Sequence, residues 1–173
     1  MYSDECGVSL LPFCGRTWSP IGRPPLLLEQ KRREHLSILA CISTKGDLWF
    51  ETKEGAFKGV DVAAFCQWMH EEEPEKKFVI VWDGATIHKN KEIKELLTQN
   101  PGVFHLEQLP GYSPELNPIE LLWAYLKGVK LKNHVFLNLI ELEKSVIKAL
   151  HEIADEPELI ISFFKKKSAG DIL

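Results

Sequence analysis

Hydrophobic and polar residues follow one another in a pattern that predicts short strands and amphipathic helices in alternation. Five apolar, β-rich runs are typical of strands, and the second and third form a hairpin around a tight Lys45–Gly46 turn. The strands are Met1–Leu10, His35–Thr44, Asp47–Thr52, Lys77–Trp82 and Val103–Leu109. Helices are predicted at Val60–Glu72, Asn90–Gln99, Leu137–Ala154 and Pro157–Lys166, and after Asn117. This order predicts an α/β domain with a mixed central sheet flanked by helices.

The helix after Asn117 is preceded by a loop that proline and glycine keep irregular. Asn117 suits the N-cap and Pro118 the first helical position, which places Glu120 third. Glu120 could close a capping box with Asn117, or it could present its carboxylate to a site. The helix has a mostly apolar face, with Trp123 and Lys127 on a neighbouring one; that apolar face contains Leu121, Leu122, Tyr125 and Leu126.

Two further acids occupy positions where functional groups are expected. Asp83 directly follows the strand Lys77–Trp82, and open α/β sheets usually place their sites at the carboxyl ends of strands. Asp4 lies near the start of the first strand, with Glu5 beside it. Because side chains alternate along a strand, we expect Glu5 to face away from Asp4.

These residues resemble the catalytic domain of DDE transposases, in the insertion-sequence branch of the mariner-like superfamily. The resemblance runs in order from Asp4 to Lys132, and its most specific block is Tyr-Ser-Pro-Glu-Leu-Asn-Pro-Ile-Glu followed by Trp and Leu-Lys. It rests on Asp4-Glu5 and on the segments 18–24, 81–88 and 109–127. The resemblance implies a ribonuclease H-like fold, in which Asp4, Asp83 and Glu120 form a catalytic, metal-binding triad.

The activity implied by the resemblance is metal-dependent DNA cleavage at transposon ends, followed by strand transfer into target DNA. Two Mg²⁺ ions, for which Mn²⁺ can substitute, would be held with Asp83 as the bridging ligand. His88 follows in the family's usual place, where it could orient a water or a phosphate, or could instead cap the backbone or support a metal ligand from behind. Gly84 stands where the family often has asparagine beside the second aspartate.

The net charge of the chain and its basic clusters bear on the expected binding to DNA. The 173 residues carry a net charge of −4, which is not typical of a nucleic-acid binder. Several basic clusters are nevertheless present, and the one that continues from the Glu120 helix is expected to contact DNA: Lys127, Lys130 and Lys132. No apolar run approaches membrane-spanning length and no signal segment opens the chain, so a cytoplasmic location without membrane contact is expected.

The cysteines and one tryptophan are expected to serve packing rather than chemistry. Cys6, Cys14, Cys41 and Cys66 form no Cys-x-x-Cys pair and are predicted to be small buried residues. Trp18 is predicted to be a packing anchor.

The length predicts a single domain over residues 1–173. The resemblance implies that this is a DDE catalytic domain with a clipped first strand and without the family's N-terminal helix-turn-helix region. The expected partners are transposon-end and target DNA, a second copy forming a homodimer on paired ends, and an upstream helix-turn-helix half made from another reading frame. Two alternatives remain open at this level: an inactive or partner-binding transposase remnant, and a ribonuclease H-like nuclease that only hydrolyses.

Overall fold

A five-stranded sheet forms the centre of the protein. The computed structural model describes residues 1–23, 26–27, 34–82, 90–111, 113 and 116–165. The sheet order is β3-β2-β1-β4-β5. Its strands are β1 (Tyr2–Ser9), β2 (His35–Ile42), β3 (Leu48–Glu54), β4 (Phe78–Trp82) and β5 (Phe104–Gln108).

Strand directions confirm the predicted mixed sheet. β1, β2 and β3 are antiparallel neighbours, and β2 and β3 form the predicted hairpin. β4 runs parallel to both β1 and β5. β1 therefore lies between an antiparallel and a parallel partner, and its register with β4 pairs Ser3 with Trp82.

The helices also follow the predicted order. α4 begins where the Asn138 side chain accepts a hydrogen bond of 2.9 Å from the Glu141 amide, as an N-cap should. A single π-helical turn, Leu126–Lys130, extends α3. The helices are α1 (Gly59–Glu72), α2 (Lys91–Gln99), α3 (Ile119–Tyr125), α4 (Leu139–Ala154) and α5 (Pro157–Phe164). None of these helices combines the length and the apolar composition that a membrane span requires.

Each face of the sheet has its own hydrophobic core. One core joins β1 and β2 to α3, α4 and α5, with Ile38, Ala40 and Leu122 fully buried in it. The other joins β2 and β4 to α1 and α2, and includes Leu39 and Ile80. Neighbouring residues of β2 enter different cores. The core that a strand residue enters, or that its paired residue enters, therefore shows which face of the sheet its side chain is on.

The helical period groups Val60, Ala64, Phe65 and Trp68 on one side of α1, but of these only Phe65 is buried. Val60 and Trp68 are 57% and 40% exposed, whereas the buried side chains recur with a helical period of three and four residues. These buried side chains are Val62, Phe65, Cys66 and Met69. Trp68 instead makes an edge contact with Trp49 of β3, with ring centroids 5.1 Å apart.

Two packing predictions for the segment after β1 are also wrong. Trp18 is fully exposed, and so is not a packing anchor. Cys14 is exposed, whereas Cys6, Cys41 and Cys66 are buried as predicted. The cause is that residues 14–20 form no helix or strand and run over the surface of the protein.

Candidate active site

The start of α3 differs by one residue from the prediction. Pro118, and not Asn117, occupies the N-cap position, and α3 begins at Ile119. Asn117 is buried just before it, where its backbone oxygen accepts a hydrogen bond of 3.2 Å from the Glu120 amide. Its side-chain oxygen lies 3.4 Å from the Ile119 amide, so Asn117 still serves the first turn.

The buried face of α3 is also rotated relative to the prediction. Ile119, Leu122 and Trp123 are buried against β1, α4 and α5, whereas Leu121 is 50% exposed. Trp123, which was predicted to lie beside the apolar face, is therefore part of the buried face. This rotation directs the Trp123 indole toward the sheet.

The Trp123 indole binds the first of the predicted acids. Its Nε1 atom donates a hydrogen bond of 3.0 Å to Oδ2 of Asp4 on β1. Trp123 is only 4% exposed, and Asp4 is partly buried. This contact was missed from the sequence, although the spacing of three residues from Glu120 places Trp123 and Glu120 one turn apart on neighbouring positions of the helix.

The sheet register determines which way Asp4 faces. Asp4 pairs with Ala40, which is buried in the core beneath α3. Glu5 pairs with Leu39, which is buried in the core on the other side. Directly paired residues share a face, so Asp4 faces α3 and Glu5 faces the opposite side, as strand alternation predicts.

Glu120 lies at the exposed start of α3. Its carboxylate forms no hydrogen bond or ion pair with any other residue that the structure describes, so the alternative of a capping box is not formed there. The backbone amide of Glu120 is instead satisfied by Asn117. A carboxylate that is not used as a cap is available for a ligand.

Burial and three charged side chains act on the pKa of the Cys6 thiol. Burial raises the pKa of the Cys6 thiol; the Lys127 ammonium opposes this effect, and the carboxylates of Asp4 and Glu120 add to it. Asp4 and Glu120 therefore act on the same buried atom from β1 and from α3. A thiol with a raised pKa stays protonated at neutral pH and is a poor metal ligand, so the nearby carboxylates are better candidates for metal binding than Cys6.

Two of the predicted site residues, Asp83 and His88, lie outside the described residues. The described part of β4 ends at Trp82, which pairs with Ser3, the residue before Asp4. The backbone oxygen of Trp82 accepts a hydrogen bond of 2.8 Å from the Leu109 amide, where the loop before α3 begins.

The chemistry of the donor set fits a hard divalent cation. Asp4 and Glu120 provide carboxylate oxygens, the ligands that Mg²⁺ and Mn²⁺ prefer. Among the described residues, no three His, Cys, Asp or Glu side chains come together as a metal site. The described residues thus contain two members of the predicted triad: Asp4 on the face of β1 toward α3, and Glu120 in the first turn of α3.

The three lysines after α3 lie in different surroundings. Lys130 Nζ forms an ion pair of 2.9 Å with Glu152 of α4. Lys127 Nζ lies 5.9 Å from the centroid of the Phe13 ring, within cation–π range. Lys127 and Lys132 line a pocket of about 600 Å³, whereas Lys130 is not part of its wall.

Backbone contacts between two distant segments build this pocket. The Gly15 amide donates a hydrogen bond of 2.9 Å to Oδ1 of Asn133, and the Asn133 amide donates one of 2.8 Å to the Phe13 oxygen. Asn133 has a φ of 60°, a conformation that asparagine tolerates better than most residues. The Lys132 side chain crosses directly over Gly15, where a Cβ atom would lie 2.0 Å from Cε.

A comparison with known families decides the classification. The family model described as DDE superfamily endonuclease matches residues 1–143. The chain belongs to this family. It is also 23% identical over 157 residues to an insertion element IS630 protein of 39 kDa from Shigella sonnei, covering 90% of this chain and 46% of that protein. The resemblance to transposases of insertion sequences is thereby confirmed.

Solved structures confirm the ribonuclease H-like fold of this DDE endonuclease chain. The catalytic domain of Mos1 mariner transposase is 14% identical, with a TM-score of 0.53 over 93% of this chain and 79% of that one. The Mos1 mariner paired end complex with Mn is 15% identical, with a TM-score of 0.62 over 93% of this chain and 54% of that one. At such identities the likeness shows the fold alone. The chain spans about half the length of the IS630 protein and of the Mos1 chain in that complex.

Proposed function

We propose that this chain is the catalytic domain of a transposase, which cleaves DNA at transposon ends and joins the ends to target DNA with divalent metal ions. The observation that carries the proposal is that α3, which bears Glu120 in its first turn, packs on β1, which carries Asp4 on the face toward α3. The two acids belong to elements far apart in sequence, and the bond from Trp123 to Asp4 holds those elements together.

The register of the central strands supports Asp83 as the third acid. Phe78, Ile80 and Trp82 enter the core beneath α1 and α2, so Val79 and Val81 belong to the opposite face of β4. That opposite face is the one on which β1 carries Asp4. Val79, Val81 and Asp83 are spaced by two positions in the sequence, and Asp83 directly follows Trp82, the residue that pairs with Ser3.

In this proposal the carboxylates of Asp4, Asp83 and Glu120 would hold two Mg²⁺ or Mn²⁺ ions. Such ions stabilise the negative charge that develops on phosphate oxygens during strand cleavage. The chain supplies the oxygen ligands and their orientation. His88 orients water or phosphate beside Asp83 in the same proposal.

DNA is the proposed partner, and the pocket lined by Lys127 and Lys132 is the proposed contact with its phosphates. Lys127 follows Glu120 by two turns of helix, so a strand that contacts the acids passes close to this pocket. The net charge of −4 means that most DNA affinity comes from elsewhere. Pairing of two copies on two transposon ends, together with a separate helix-turn-helix half, would supply it.

The experiment compares four variants of equal size: Asp4→Asn, Asp83→Asn, Glu120→Gln and the control Glu5→Gln. Nicking of supercoiled plasmid is measured with Mg²⁺, with Mn²⁺ and with a chelator. Strand transfer is measured with duplexes copied from the DNA that flanks this reading frame. Glu5 is the matched control because it neighbours Asp4 in sequence but faces the other core.

We expect metal-dependent nicking and joining in the wild type and the control, and a loss of at least about 100-fold in each triad variant, since each removes a metal ligand. Nicking without joining would favour the ribonuclease H-like nuclease that only hydrolyses. Activity that survives Asp83→Asn would overturn the assignment of the triad. A wild-type chain that neither binds metal nor cuts DNA would indicate a transposase remnant.

A further inference from the structure

The hydrogen bond between Trp123 and Asp4 joins a buried indole to a predicted metal ligand. Trp123 Nε1 lies 3.0 Å from Asp4 Oδ2, and the side chain of Trp123 is buried in the core between β1 and α3. An indole has one N–H and no acceptor, so this bond satisfies its entire polar capacity. The acceptor is a carboxylate, which makes the bond stronger than one between neutral groups.

We propose that Trp123 is a positioning residue for metal binding: its N–H sets the orientation of the Asp4 carboxylate relative to Glu120. This inference rests on the function proposed above, since it assumes that Asp4 is a metal ligand. Carboxylate ligands of metal ions are commonly oriented by hydrogen bonds from a second layer of residues. Trp123 lies on the same helix as Glu120 and binds Asp4. Its packing can therefore fix the position of both carboxylates relative to each other.

The packing of Trp123 in the core does not require its indole N–H group. The surroundings of Trp123 in the core are apolar, so a phenyl ring could occupy most of the same space. The rigid indole has little freedom to move once it is buried, because α3 packs on β1 and α5 through its neighbours Ile119 and Leu122. The donor is therefore held at a constant position before any metal binds, which is the condition for preorganising a ligand.

The first test removes the donor and keeps an aromatic ring. Trp123→Phe is compared with Trp49→Phe, which makes the same chemical change on the other side of the sheet, where Trp49 contacts Trp68. Mn²⁺ affinity of the chain without DNA is measured by electron paramagnetic resonance. We expect Trp123→Phe to weaken Mn²⁺ binding by about 10- to 100-fold and Trp49→Phe to leave it unchanged.

A second measurement does not use Trp123→Phe, so it remains informative if that variant does not fold. Indole N–H resonances of ¹⁵N-Trp protein are recorded with and without Mg²⁺, and the Trp123 resonance is assigned by its displacement in Asp4→Asn. We expect this resonance to shift when Mg²⁺ is added, and the Trp49 resonance to stay in place. A Trp123 resonance that does not respond to saturating Mg²⁺ would overturn the inference.

The two proposals fail in distinguishable ways. Equal Mn²⁺ affinity in the wild type, Asp4→Asn and Glu120→Gln would contradict the proposed function itself. Reduced affinity in those two variants, combined with wild-type affinity in a folded Trp123→Phe, would contradict only the role of Trp123. Reduced affinity in all three, with Trp49→Phe unaffected, is the result that supports both.

Discussion

Lys130 Nζ lies 2.9 Å from Glu152 Oε2, which ties the end of the α3 extension to α4. Lys130 is the last residue of the π-helical turn Leu126–Lys130. The turn is closed by the Leu131 amide, which donates a hydrogen bond of 2.9 Å to the Leu126 oxygen. Lys130 is therefore engaged within the protein, whereas Lys127 and Lys132 line a pocket.

The first prediction follows from this difference among the lysines. Lys127→Gln and Lys132→Gln should each weaken binding to duplex DNA. Each should also make the negative slope of log affinity against log salt concentration less steep by about 0.9, since each removes one phosphate contact. Lys130→Gln should change neither quantity, because its ammonium already pairs with Glu152. Fluorescence anisotropy titrations at several salt concentrations measure both. Equal effects of all three substitutions would show that the Lys130–Glu152 pair opens to bind DNA.

The second prediction concerns Gly15, over which the Lys132 side chain passes. A Cβ atom at position 15 would lie 2.0 Å from Lys132 Cε, so Gly15→Ala must displace the lysine. The displaced atoms are the flexible end of a side chain, and we expect a change in stability within about 1 kcal/mol. DNA affinity should fall as it does in Lys132→Gln.

A double-mutant cycle checks the mechanism. If Gly15→Ala acts through Lys132, the combination with Lys132→Gln should bind DNA no more weakly than Lys132→Gln alone. Gly7→Ala is the control, since a Cβ atom there would meet no atom within 4 Å. Fully additive losses of binding free energy would show that Gly15 affects DNA by a different route.

The third prediction is a pH dependence of stability at the start of α1. A hydrogen bond of 2.8 Å from Lys53 and one from the Lys58 amide lower the pKa of Asp61 below its usual 3.8, against the opposing effect of desolvation. A lowered pKa in the folded state means that the stabilisation is complete above the usual pKa and is lost as the pH falls through the folded value. Because the pair is partly exposed, its contribution is about 0.2–1 kcal/mol.

Urea unfolding of Lys53→Met at neutral and at acidic pH measures this contribution. The variant should be less stable than the wild type at neutral pH, and the difference should shrink as Asp61 is protonated. Lys148→Met serves as the control, since the Lys148 side chain is 79% exposed and its Nζ atom lies 3.9 Å from Oε1 of Glu152. A difference in the free energy of unfolding that does not depend on pH would indicate lost packing of Lys53 on Phe57 instead.

The fourth prediction concerns the four cysteines. Burial raises the pKa of Cys41 to about 11 and also raises the pKa values of Cys6 and Cys66, whereas Cys14 is exposed. Thiol reagents attack the thiolate of accessible cysteines, so one thiol should react rapidly in the native chain and all four in denaturant. Cys14→Ser should abolish the rapid phase. A second rapid thiol would show that one of the cores opens readily.

The local sequence determined the order of the elements, the hairpin between β2 and β3, and the family. Periodicity and turn residues are properties of neighbouring positions, so the chain displays them before it folds. The same holds for the prediction that Glu5 faces away from Asp4, which follows from strand alternation alone and agrees with the pairing of each residue.

Tertiary structure alone decided which side chains meet. The buried face of α1, the exposure of Trp18, and the pairs Trp123–Asp4 and Lys130–Glu152 were not visible in the sequence. Trp123 and Asp4 are 119 positions apart, and only the packing of α3 on β1 brings them into contact. The physical reason is that amphipathic patterns specify which residues avoid water, whereas the fit between whole elements selects the partner of each residue.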